Sequence, residues 1–179
     1  MYERVSNDAL LFFCCIIFYM KKLTLELAKQ IARDCFQSYR DRIEGDFARI
    51  HSASVAEIAV TLAKKANCDQ ELVETAAWVH DIGYLVEKDN HAEHSVKLLE
   101  QKGFELSSEM RDCILNHGTG GKPESQEAKI LQMADKLSIL NIPTLKLILE
   151  QEKVLPEDVA FIKKMTDGAV GYLDNLRRE

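Results

Sequence analysis

Four polar side chains in the middle of this chain fall where helical spacing calls for a core residue. His51 continues the stripe Phe47, Val55, Ile58 and Leu62; His80 continues Val73, Ala76 and Ala77; His117 continues Met110, Cys113 and Ile114. Asp135 lies one turn from Leu131 and one turn from Ile139. Side chains three and four apart share a helix face, so the spacing predicts that these groups turn inward on separate helices. A single inward histidine is ordinarily a buried imidazole bonded to backbone. A buried carboxylate is different, costing several kcal/mol unless it is paired or bound to a cation. Asp81 is expected in the last turn of its helix, where the macrodipole disfavours an anion by up to about 1 kcal/mol. One cation near Asp81 and Asp135 would offset both costs. Neutral imidazole and carboxylate suit a divalent transition metal, whether manganese, iron, zinc, nickel or cobalt.

The elements that must position these residues read as helices almost throughout. Apolar spacing predicts helices over about 24–39, 47–66, 69–81, 91–102, from Ser107 to near Gly118, and over 124–141. Two more are expected before and after Pro156, the second over about 157–176. With only 8 Gly and 3 Pro the chain lacks the punctuation of a strand-rich fold. The expected architecture is an all-α bundle of about six to eight helices.

The chain has 179 residues, which suits one domain and one sizeable core. We expect residues 1–22 to be an N-terminal extension and 23–179 a single domain, with its chemistry over about 47–141 and C-terminal helices over 142–179. The apolar run ALLFFCCIIFYM at 9–20 is shorter than the roughly 20 residues a membrane helix needs. The segment Met20-Lys21-Lys22-Leu23-Thr24 reads as a natural start, which would put residues 1–19 upstream of it. A packed helix, a partner-binding helix or a weak membrane anchor at 9–20 are the alternatives. The net charge of -6, with no Lys/Arg-rich run, argues against a nucleic-acid polymer as partner. The five cysteines, Cys14, Cys15, Cys35, Cys68 and Cys113, include no C-x-x-C pair, which fits a reducing cytoplasm. The C-terminal segment is expected to pack on the ligand-bearing helices or to form a homo-oligomer contact.

In the order His51, His80-Asp81, Asp135, set in A-A-W-V-H-D-I-G-Y and M-A-D-K-L-S, these residues resemble the HD-domain superfamily of metal-dependent phosphohydrolases. The resemblance covers roughly residues 47–141. It implies an HD-type helical bundle in which His51, His80, Asp81 and Asp135 hold one metal ion. Some branches add two histidines for a second ion, and His91 in H-A-E-H-S-V-K-L-L and His117 in I-L-N-H-G match them, with Asp81 bridging. His94, one turn from His91, could replace it, contact substrate or lie at the surface.

The resemblance further implies metal-assisted hydrolysis of a small phosphoester, with His80 and Asp81 at the catalytic centre. A divalent ion makes water a competent nucleophile near neutral pH and offsets phosphoryl charge, which reconciles an acidic protein with an anionic substrate. His94, Lys122 and Lys136 are candidate substrate contacts. The loop Gly118-Thr119-Gly120-Gly121-Lys122-Pro123 is not a Walker motif, because Asn116 stands where a glycine is required and Pro123 where Ser or Thr is. The chain lacks the G-Y-P signature and the paired histidines of the branch that degrades cyclic di-GMP, so that substrate is not assigned, and the expected class is a nucleotide or related phosphorylated metabolite. Two other functions fit the same residues: an HD-type di-iron oxygenase, and a non-catalytic metal- or nucleotide-binding module.

Overall fold

The computed structural model describes residues 21–140 and isolated positions between 143 and 170. Six α-helices occur among the described residues: α1 (Leu25–Gln37), α2 (Arg42–Ala66), α3 (Gln70–Val79), α4 (His91–Gln101), α5 (Ser108–Asn116) and α6 (Gln126–Ser138). A 3-10 turn (Ile82–Leu85) joins α3 to α4. The architecture is the all-α bundle that the apolar spacing predicts.

Capping residues define most helix starts. Thr24, Asp41, Asp69, Ser107 and Ser125 each accept a hydrogen bond from a first-turn backbone N–H, each such cap contributing about 1 kcal/mol. The long helix α2 ends at Asn67, which adopts the left-handed conformation (φ 56°) and donates its N–H to the Ala63 carbonyl.

α2 is the spine of the bundle, packed against both α3 and α6, while α1 lies on α3 and α5 lies between α4 and α6. Ala56, Ala59 and Ala63 on α2 and Ala76 and Ala77 on α3 are all buried. Their small side chains let the two helices run close, so groups projecting between them meet at short range. Leu99, Ile114 and Leu131 fill the other side of the core with no exposure, each contributing about 1.5–3 kcal/mol by burial.

Two helix boundaries differ from the sequence expectation, and one short strand pair was not expected. α2 begins at Arg42 rather than near Phe47, because Asp41 caps a polar, exposed first turn that carries no apolar period. α3 stops at Val79, so Asp81 lies just beyond the helix and not in its last turn. The chain tightens there because the Tyr84 N–H bonds to the Asp81 carbonyl, opening the 3-10 turn. Two-residue strands β1 (Lys21–Lys22) and β2 (Phe104–Glu105) also pair in parallel, Lys21 opposite Phe104, too briefly for any alternation to announce them. The expectations for residues 1–20, including the apolar run, and most of those for 142–179 lie outside the described residues. Among the described residues no helix is long and apolar enough to cross a membrane.

Candidate metal centre

The ends of α3, α4 and α5 and the middles of α2 and α6 converge on one small volume. His51 comes from the middle of α2, His80 from the C-cap of α3, His91 from the first residue of α4, His117 from the C-cap of α5 and Asp135 from α6. Asp81 stands at the centre and splits its oxygens between two pairs of rings. Its Oδ2 lies 3.3 Å from His51 Nε2 and 3.2 Å from His80 Nε2. Its Oδ1 lies 3.2 Å from His117 Nε2 and 3.4 Å from His91 Nε2. Asp135 Oδ1 completes the first group, 3.2 Å from His51 Nε2 and 3.8 Å from His80 Nε2.

The proton of three of the four rings is committed elsewhere. The carbonyls of Ala77, Lys88 and Ile114 can only accept, so Nδ1–H donates from His80 (2.8 Å), His91 (2.8 Å) and His117 (2.6 Å) respectively. The location of two of these carbonyls follows from helix geometry. The last carbonyls of a helix have no intrahelical partner, and Ala77 and Ile114 occupy those positions in α3 and α5.

With Nδ1 protonated, the neutral rings of His80, His91 and His117 each present a lone pair at Nε2. The Nε2 atoms face one another, at 3.0 Å for His91 and His117 and at 3.3 Å for His51 and His80, and they face the carboxylates. Asp81 Oδ1 is buried without a hydrogen-bond donor. A cluster of acceptors turned on acceptors is stable only around positive charge, so the donor set fits a cation. Two groups, His51–His80–Asp81 and Asp81–His91–His117, each have ligand atoms close enough to share one ion.

The titration behaviour has the same cause. Burial alone would lower the pKa of His51, but the carboxylates of Asp135 and Asp81 outweigh it and push it up to about 10. Burial would raise both carboxylates, yet His80, His117 and His51 hold Asp81 well below its usual range, and His51 holds Asp135 down. His117 is raised, with Asp81 outweighing burial, whereas burial and the neighbouring His117 lower the half-buried His91. In the absence of a metal, protons supply part of the missing positive charge.

The three expected substrate contacts separate. Lys136 lies at the cluster, its ammonium 2.6 Å from Asp135 Oδ2. His94 is turned away, with Nε2 3.1 Å from Glu87 Oε2. Lys122 is exposed on the glycine loop, its backbone N–H bonded to Asn116 Oδ1.

Several supporting residues were not singled out for these roles by the sequence. Tyr84 stacks on His91 with ring centroids 4.0 Å apart. Gln132 Nε2 lies 2.9–3.2 Å from the carbonyls of Asn116, Gly118 and Gly121, gathering the glycine loop beside His117. Asp112 accepts from the backbone N–H groups of Glu124 and Ser125, fixing the start of α6. Gln132 lies three residues before Asp135 and Asp112 five before His117, but polar residues on half-exposed faces give no signal of their partners.

The sequence profile of the HD domain family matches residues 49–140. A deoxyguanosinetriphosphate triphosphohydrolase-like protein of Caldanaerobacter subterraneus subsp. tengcongensis is 34% identical over 120 residues, covering 55% of this chain and 35% of that protein. A ribonuclease Y of Desulforudis audaxviator is 30% identical over 89 residues, covering 49% of this chain and 17% of that protein. The chain thus spans about a third or less of the length of these curated relatives. A solved structure described as a predicted HD superfamily hydrolase, from an uncultured Thermotogales bacterium, shares the fold with a TM-score of 0.57. It is 24% identical and covers 86% of this chain and 91% of its own. The family profile takes in just over half of the chain, from the turn that carries His51 to the end of the helix that carries Asp135, and the chain belongs to the HD domain family.

Proposed function

We propose that this chain is a metal-dependent phosphohydrolase acting on a small phosphoester, a nucleotide or related phosphorylated metabolite. The observation that carries this reading is the convergence of four imidazole Nε2 atoms on Asp81 and Asp135, with Asp81 Oδ1 buried and lacking a donor. His51, His80, Asp81 and Asp135 would hold one divalent cation, and Asp81, His91 and His117 a second. A cation bound there supplies an activated water at neutral pH and charge for phosphoryl oxygens.

The chain's own residues supply the orientation. The outward Nδ1–H bonds of His80, His91 and His117 keep those rings with Nε2 toward the centre, and the Asp81 carboxylate serves both ligand groups. Lys136 adds a positive charge at the rim that a phosphoryl oxygen can use. The deoxyguanosinetriphosphate triphosphohydrolase-like relative supports a nucleotide as substrate class. The net charge of -6 favours a small substrate over a polymer such as RNA, which needs clustered basic side chains.

The test is a screen of the purified chain, loaded in turn with manganese, iron, cobalt, nickel and zinc, against nucleoside triphosphates, nucleoside monophosphates and simple phosphoesters. Release of phosphate, pyrophosphate or tripolyphosphate from one class, abolished by chelation, is expected. Iron-dependent oxygen uptake without hydrolysis of any phosphoester would overturn the assignment.

A further inference from the structure

His51 differs from the other three histidines in what holds its outer nitrogen. His80, His91 and His117 each give Nδ1–H to a carbonyl three residues earlier. His51 lies in the interior of α2, where the backbone carbonyls are already engaged in the helix, so no local acceptor exists. Its partner comes from 87 residues away: Nδ1 lies 3.1 Å from the hydroxyl oxygen of Ser138.

A serine hydroxyl has one proton, and Ser138 gives it to the Asp135 carbonyl at 2.7 Å. With its proton on that carbonyl the oxygen accepts toward His51, which assigns the imidazole proton to Nδ1. We propose that Ser138 is the positioning residue for His51, holding the ring so that Nε2 faces Asp81 and Asp135. Ser138 has no solvent exposure and follows Asp135 by three residues on α6. One turn of α6 thus grips the His51 ring at both nitrogens, with the Asp135 carboxylate at Nε2 and the Ser138 hydroxyl at Nδ1.

This inference deepens the proposed function and rests on it for its consequence, the hold on a cation. Without the hydroxyl, Nδ1–H loses its acceptor and the ring can rotate Nε2 away. Hydrogen bonds of this kind are worth about 10- to 100-fold in metal affinity.

The test compares Ser138→Ala with Ser138→Thr in the full chain. Cobalt(II) binding is followed by visible absorption against a competing chelator. The His51 Nδ1–H proton is followed by NMR in the metal-free and zinc-loaded protein. Ser138→Ala is expected to weaken one binding step about 10- to 100-fold, to leave the step assigned to His91 and His117 unchanged, and to lose the protected Nδ1–H resonance. Ser138→Thr retains the hydroxyl and should retain both.

A packing role predicts the reverse order, because threonine adds a methyl group to an enclosed position and alanine does not. Equal cobalt affinity in wild type and Ser138→Ala, with the proton unchanged, would overturn the proposal. Absence of a protected His51 Nδ1–H in the wild type would do so without any variant. A wild-type chain that binds no cation defeats the proposed function, and the metal-free proton spectrum then still decides whether Ser138 holds the ring.

Discussion

Each imidazole of the cluster is told which nitrogen keeps its proton by a partner outside the cluster. Among the described residues, the Asp81 carboxylate faces only those same rings, and Asp135 has the Lys136 ammonium besides. In the metal-stripped protein this arrangement has a pH signature. The folded-state pKa of His51 is about 10 against an ordinary 6.5, so its stabilisation is complete below pH 6.5 and is lost as the pH rises toward 10. His117 acts in the same sense, and His91, whose pKa is lowered, acts in the opposite one. Asp81 and Asp135 are lowered, so their contribution is present above the ordinary 3.8 and is lost on acidification. Denaturant midpoints of metal-stripped protein should therefore fall between pH 6.5 and about 10; a midpoint that climbs through that window would contradict the charge assignment. At the same scale, His80→Ala and Asp81→Ala should each remove most of the bound metal and all hydrolysis, and metal content by mass spectrometry at wild-type level in both would refute their roles. The inward positions of His51, His80, His117 and Asp135 were legible because each replaces an apolar residue in a stripe. Ser138 was not, since a small polar residue among Leu137, Ile139 and Leu140 gives no sign of a partner on another helix.

At the scale of elements, the crowded turn after Asp81 sets the distance between the two ligand groups. The Gly83 N–H donates to Ser95 Oγ, which donates in turn to the His80 carbonyl. A Cβ at Gly83 would lie 2.0 Å from the His91 carbonyl oxygen and 2.6 Å from the Ser95 nitrogen. Glycine is thus what allows the start of α4 to reach Asp81. Gly83→Ala should destabilise the fold by about 1–3 kcal/mol through overpacking and should selectively weaken the cation site containing His91, measured by denaturation and metal titration. Unchanged stability together with two intact sites would show that α4 does not depend on this close approach. The helices themselves were legible from three- and four-residue spacing. The start of α2 and the end of α3 were not, because a capped polar turn and a tightened 3-10 turn carry no apolar period. The close approach at Gly83 was not legible either, since a contact between the turn and α4 is tertiary and leaves no mark on local spacing.

For the whole molecule, buried acids and lone pairs at the junction of five helices imply that folding and cation binding are linked. A ligand bound only by the folded state stabilises it by about 2.7 kcal/mol at a hundredfold excess over Kd. Chelation should lower the melting temperature, and readdition should restore it; a melting curve indifferent to verified metal removal would break the linkage. The family stretch at 49–140 carries all six proposed ligands. The bundle and its ligand-bearing stretch were legible as a whole because the inward polar residues recur on separate helices, but substrate identity leaves no comparable periodic trace in this chain.

The most direct test is an anomalous-diffraction structure of the chain crystallised with manganese. The account predicts one peak among His51, His80, Asp81 and Asp135 and a second among Asp81, His91 and His117. Manganese bound elsewhere, with these side chains free of it at saturating concentration, would contradict the central claim.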